Sequence, residues 1–137
     1  PSGTSPKESN GLQGKTVLIA EDNMINAMVS MKLMDNWGLK ASHAKNGIEA
    51  VESAQAQPFD FILMDIHMPE LDGFDAAKKI RSSLNPNVKT PIFALTADIT
   101  AHQRKLFEPY FDGFLLKPIV KEKLYGALSG VELSSEA

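Results

Sequence analysis

Thr16-Val17-Leu18-Ile19-Ala20-Glu21-Asp22 carries the pattern on which the architecture rests: four consecutive apolar residues run directly into two carboxylates. A short apolar run without polar alternation suits a strand buried on both faces, the pattern of a parallel sheet covered by helices. Phe61 to Met64 ahead of Asp65 repeats the pattern, as do Ile92 to Leu95 ahead of Thr96 and Phe114 to Leu116 ahead of Lys117. These four runs read as interior strands. Leu39 to Ala44 mixes Lys40, Ser42 and His43 into its run and reads as an edge strand with one wet face. Five strands result.

Helical spacing fills the intervals. Ile25, Met28, Val29, Leu33 and Trp37 form a stripe that reads as core, with Gly38 placed to end the helix. Ile48, Val51, Glu52 and Gln55 give a second helix stopped by Pro58, and Phe74, Ala77, Lys78 and Arg81 a third. Leu84 to Pro91 reads as a loop, Ile99 to Phe107 as a fourth helix. Val120, Leu124, Ala127 and Leu128 predict the last helix, with Gly130 at its end. Alternating strands and helices make an α/β, doubly wound domain.

The chain has 137 residues, the size of one such domain, and 43% of them are hydrophobic, which excludes disordered, collagenous and coiled-coil classes. A net charge of −3 gives no cationic footprint for nucleic acid. The absence of cysteine excludes disulfides, thiolate zinc sites and a cysteine nucleophile, and fits a reducing compartment such as the cytoplasm. No apolar run reaches the ~20 residues of a membrane span, so no membrane contact by this chain is expected. Residues 1–14 read as a linker remnant of something longer, 15–130 as the domain and 131–137 as a C-terminal tail.

In an open parallel sheet, ligands bind beyond the carboxyl ends of the strands. Glu21 and Asp22, Asp65, Thr96 and Lys117 each follow a different strand, so all five converge on one edge. Each alone has an ordinary explanation as a turn residue, a helix cap or a surface lysine. Together, three carboxylates repel one another unless a cation neutralises them. Oxygen donors without cysteine or a histidine pair favour Mg²⁺, which keeps waters and meets phosphate oxygens; Mn²⁺ could substitute. Lys117 would neutralise a phosphoryl oxygen and Thr96 would offer a hydroxyl. His43, His67 and His102 share no metal-binding spacing and default to exposed or locally bonded roles. Asp72 before Gly73 reads as a helix cap.

The motifs Glu21-Asp22-Asn23, Asp65 through Met68 and Pro69 to Asp72-Gly73, Thr96-Ala97 and Lys117-Pro118 resemble the receiver domain of two-component response regulators. The resemblance covers Lys15 to Ser129. It implies a flavodoxin-like sheet of order 2-1-3-4-5. It also implies that Asp65 accepts a phosphoryl group from phosphohistidine. Mg²⁺ would be held by Asp22, Asp65, Glu21 through water and the His67 backbone carbonyl. Thr96 and the Ala97 backbone N–H would hold phosphoryl oxygens, and Lys117 would pair with Asp65 or the phosphate. Phe114 takes the switch-aromatic position, and without a hydroxyl it must signal by packing. Pro118 is a candidate for a cis peptide bond, and His67 and Asp98 occupy positions that tune phosphoryl lifetime. The donor would dock near the first helix and a partner on helix four, strand five and helix five. Asn23, Asn26, Asn46, Gly47 and Ala94 to Thr96 resemble receivers of hybrid histidine kinases, which implies a histidine kinase or histidine phosphotransfer domain as partner. The domain itself would be no enzyme beyond self-dephosphorylation, and a monomer or weak dimer.

Three other readings compete. A phosphorylation-independent pseudo-receiver would bind partners without using Asp65. A haloacid-dehalogenase-like aspartyl phosphatase wants a second aspartate where His67 stands. A flavin mononucleotide carrier would meet repulsion from Glu21 and Asp22. Gly14, Lys15 and Thr16 imitate a phosphate-binding loop, yet Ser9 replaces its first glycine and the motif precedes the strand.

Overall fold

The computed structural model of the chain describes residues 12–68 and 70–136; most of the N-terminal linker segment and Pro69 of the quoted motif lie outside them. Among the described residues five strands and five helices alternate: β1 Thr16–Ala20, α1 Met24–Asn36, β2 Lys40–Ala44, α2 Gly47–Ala56, β3 Phe61–Asp65, α3 Gly73–Ser82, β4 Ile92–Thr96, α4 Ala101–Phe107, β5 Gly113–Leu116 and α5 Lys121–Glu136. The strands are all parallel, in the order β2-β1-β3-β4-β5.

Strand pleating sends alternate residues to two separate cores. Val17, Ile19, Phe61, Leu63, Phe93 and Leu95 join Met34 of α1 and Leu124 and Leu128 of α5 on one face. Leu18, Ala20, Ile62, Met64, Ile92 and Ala94 meet Ala50 and Ala54 of α2 and Ala76, Ala77 and Ile80 of α3 on the other. Of the four strands read as interior from continuous apolar runs, β1, β3 and β4 are buried on both faces. β5 is not interior: it is the second edge, and Leu116 is 58% exposed. A run of apolar residues only three long does not by itself distinguish an edge from a centre.

Helix entries are fixed by side chains that accept orphan backbone N–H groups. Asn23 accepts from the Asn26 N–H, Asn46 from Glu49, Asp72 from Asp75 and Thr100 from Gln103. Asp72 thus takes the capping role expected of it.

Three expectations need correction. The α1 stripe is divided: Leu33 and Trp37 pack partly against the core, while Ile25, Met28 and Val29 are exposed by 72%, 65% and 51%. The helix buries Ala27, Ser30 and Met34 instead, a second stripe with the same period. Ile48 and Val120 are also exposed where core was expected. Finally, α5 continues through Gly130 to Glu136, so most of the expected tail is helical; a glycine inside a helix costs only about 1 kcal/mol and no proline follows to stop it.

Candidate phosphoacceptor site

Parallel register brings the site together. β1 and β3 pair Ala20 with Met64, so Glu21 and Asp65 are the next residues along adjacent strands. β3 and β4 pair Asp65 with Leu95, and β4 and β5 pair Thr96 with Leu116, which places Thr96 and Lys117 on the same edge. Glu21, Asp65 and Thr96 are each 2% exposed, whereas Asp22 is open to solvent.

Lys117 is the hub. Its Nζ lies 2.9 Å from Asp65 Oδ2 and 3.1 Å from Glu21 Oε1. Burial opposes its charge, but hydrogen bonds to Asp65 and Glu21 outweigh that and hold the ammonium above its ordinary pKa. Burial, followed by the neighbouring Asp65, pushes the Glu21 carboxyl upward. The Asn23 N–H donates to Glu21 Oε2 at 3.2 Å and the His67 N–H to Asp65 Oδ1 at 3.1 Å, so each buried carboxylate is also oriented by backbone.

Glu21, Asp22 and Asp65 each offer a carboxylate oxygen within 4.8 Å of the others. Hard oxygen donors of that charge and closeness fit a divalent cation such as Mg²⁺, and one ammonium cannot balance three carboxylates. Thr96 stands apart from Asp65 in its bonding: its hydroxyl donates to the Asp98 carbonyl at 2.7 Å and accepts from the Asp98 N–H at 3.3 Å. Asp98 and His67 are exposed at the rim, as is Ala97. Phe114 is half-buried, its ring 5.9 Å from that of Phe111 and covered by the Arg104 guanidinium at 4.8 Å. The Lys117–Pro118 peptide is cis.

Two contributors escape the sequence reading. Gly73 lets α3 begin against β3, because a Cβ there would come within 2.1 Å of the Asp65 carbonyl oxygen. Its position in a family motif marks it, though not the reason. His43 has its Nε2 2.8 Å from the Glu21 carbonyl oxygen, a contact between strands that local spacing does not encode.

The family model of the response regulator receiver domain matches residues 17–129. The chain is 32% identical over 124 residues to the sensor histidine kinase GacS of Pseudomonas protegens, covering 88% of this chain and 14% of that protein. It spans between 5% and 14% of the length of the curated histidine kinases it matches. Among solved structures it resembles the receiver domain of sensor histidine kinase PA1611 from Pseudomonas aeruginosa, which has magnesium coordinated in its active-site cleft. That match has TM-score 0.74 and 32% identity over 85% of this chain and 98% of that one. It also resembles a chain of the co-crystal structure of the Saccharomyces cerevisiae histidine phosphotransfer signaling protein Ypd1 and the receiver domain of its downstream response regulator Ssk1, at TM-score 0.76 and 30% identity over 86% of this chain and 88% of that one. Because the family model spans residues 17–129 of this five-stranded parallel fold, the chain belongs to the response regulator receiver domains.

Proposed function

We propose that the chain is the phosphoacceptor of a histidine-to-aspartate phosphorelay, with Asp65 as the acceptor. The observation that carries this reading is the Lys117 ammonium placed between Asp65 and Glu21 at one strand edge. An oxygen of Asp65 attacks the phosphorus of a phosphohistidine; the P–O bond forms, the P–N bond breaks and the imidazole leaves. Mg²⁺, held by Asp22, Asp65, Glu21 through water and the His67 carbonyl, would neutralise charge on the transferring group. Lys117 turns from Asp65 to a phosphoryl oxygen, and the Ala97 N–H takes another. The Thr96 hydroxyl leaves the Asp98 carbonyl for the phosphate, and Phe114 relays the change by repacking beneath Arg104.

The partner we assign is a histidine phosphotransfer domain or kinase, docking on α1. Met24, Ile25, Met28 and Val29 form an exposed apolar face immediately after the acidic residues, and such a face is suited to a partner helix. This reading makes the domain cytoplasmic and, apart from loss of its own phosphoryl group, non-enzymatic. His67 and Asp98, at the rim, control access of water; exchanging either changes the lifetime of the phosphoryl group, and unchanged lifetimes in both single variants would remove that role.

Intact mass after incubation with a small acyl phosphate tests the proposal. One phosphoryl increment is expected with Mg²⁺, and none without the metal or in Asp65→Asn. No increment under any condition would favour the pseudo-receiver, and an increment persisting in Asp65→Asn would give the acceptor role to another residue.

A further inference from the structure

We propose that His43 is a positioning residue for the acidic metal-binding loop, acting through the Glu21 carbonyl. The inference rests on the reading of Glu21 and Asp22 as Mg²⁺-binding residues.

β1 and β2 pair Ile19 with His43 and Ala20 with Ala44. The ladder then continues by one bond, from the Glu21 N–H to the Ala44 carbonyl at 3.0 Å. The His43 side chain reaches along the strand direction and places Nε2 at 2.8 Å from the Glu21 carbonyl oxygen. A carbonyl has no proton to give, so the ring nitrogen is the donor. Edge strand β2 therefore holds Glu21 by both its backbone groups, one through main chain and the other through His43.

The consequence passes through a rigid unit. The Glu21 carbonyl and the Asp22 N–H lie in one planar peptide and point in opposite directions. Fixing the carbonyl toward β2 sets the plane from which Asp22 departs. Glu21 itself is turned the other way, toward Lys117 and the Asn23 N–H. One contact thus orients two of the three acids while standing outside the cluster. A residue filling only an edge-strand position would need no donor there; a β-branched side chain would serve.

Calorimetric titration of the metal-free chain with Mg²⁺, together with thermal melts without Mg²⁺, tests this in wild type, His43→Val and His43→Gln. The expected result is a dissociation constant raised about tenfold in His43→Val, the lower end for groups that orient metal ligands, with a metal-free melt that is lowered by the one lost hydrogen bond but still cooperative. His43→Gln, which places an N–H donor at similar reach, should recover most of the affinity. Wild-type affinity in His43→Val would overturn the inference, as would equal weakening in both variants, since the donor would then not matter. Failure of His43→Val to fold would also overturn it by making the role one of general stability. Absence of Mg²⁺ binding by the wild type would instead bring down the metal-site reading on which the inference stands.

Discussion

Lys117 and Asp65 are joined across the sheet edge at 2.9 Å, and the same ammonium reaches Glu21 at 3.1 Å. The lysine is the site's internal counter-ion, facing two carboxylates that are almost wholly buried. Removing it strands those charges, and breaking a buried pair costs about 3 kcal/mol or more. Lys117→Met is therefore expected to melt well below wild type without metal and to gain more than wild type from Mg²⁺, since binding to the native state stabilises it. Melts with and without Mg²⁺ check this; an equal metal-induced gain in both proteins would refute the counter-ion role.

Gly73 and Gly126 should respond oppositely to alanine. A Cβ at Gly73 would meet the Asp65 carbonyl oxygen at 2.1 Å, whereas one at Gly126, within α5, would meet nothing within 4 Å. Gly73→Ala is expected to cost about 2 kcal/mol or more by forcing backbone apart, and to impair phosphorylation by moving Asp65. Gly126→Ala should stabilise by about 0.5 to 1 kcal/mol through helix propensity. Denaturant titration of both variants decides the matter.

Asn87 tests whether stability and metal binding separate. It is fully buried, accepts from the Phe59 N–H and the Thr90 hydroxyl, and donates to the carbonyls of Ala54 and Gln57. These partners lie before β3 and β4, at the sheet edge opposite the acids. Asn87→Ala leaves several buried groups unpaired and is expected to lose at least about 2 kcal/mol, while calorimetry should give an unchanged Mg²⁺ dissociation constant.

The exposed face of α1 should matter to a protein donor alone. Ile25→Glu and Met28→Glu are expected to slow transfer from a phosphorylated histidine phosphotransfer domain by tenfold or more, the scale of about 1.4 kcal/mol in docking. Phosphorylation by a small acyl phosphate should be unaffected. Equal slowing with both donors would place these residues in the chemistry or the fold and not in recognition.

Much of this was legible in sequence because parallel strands buried on both faces need continuous apolar runs, and because the polar residue ending each run marks one edge. Asp65, Thr96 and Lys117 were found that way. The wet face of α1 was not, since Ala27, Ser30 and Met34 have the same helical period as Ile25, Met28 and Val29; periodicity reveals two stripes and not which one meets the sheet. Gly130 failed as a stop signal because glycine alone is a weak breaker. His43 and Arg81 depend on register and tertiary packing. The Arg81 guanidinium donates to the carbonyls of Val88, Thr90 and Tyr110 and pairs with Asp112 at 2.8 Å, although its spacing marked it only as part of a helix stripe.

With Asp65 as the proposed acceptor, the phosphoryl group is expected on that residue alone. The most direct measurement is reduction of the phosphorylated chain with borohydride, which converts an acyl phosphate to an alcohol, followed by fragmentation mass spectrometry. A single reduced position is expected, at Asp65, as homoserine. A reduced residue at Glu21, Asp22 or any other acid, with Asp65 intact, would contradict it.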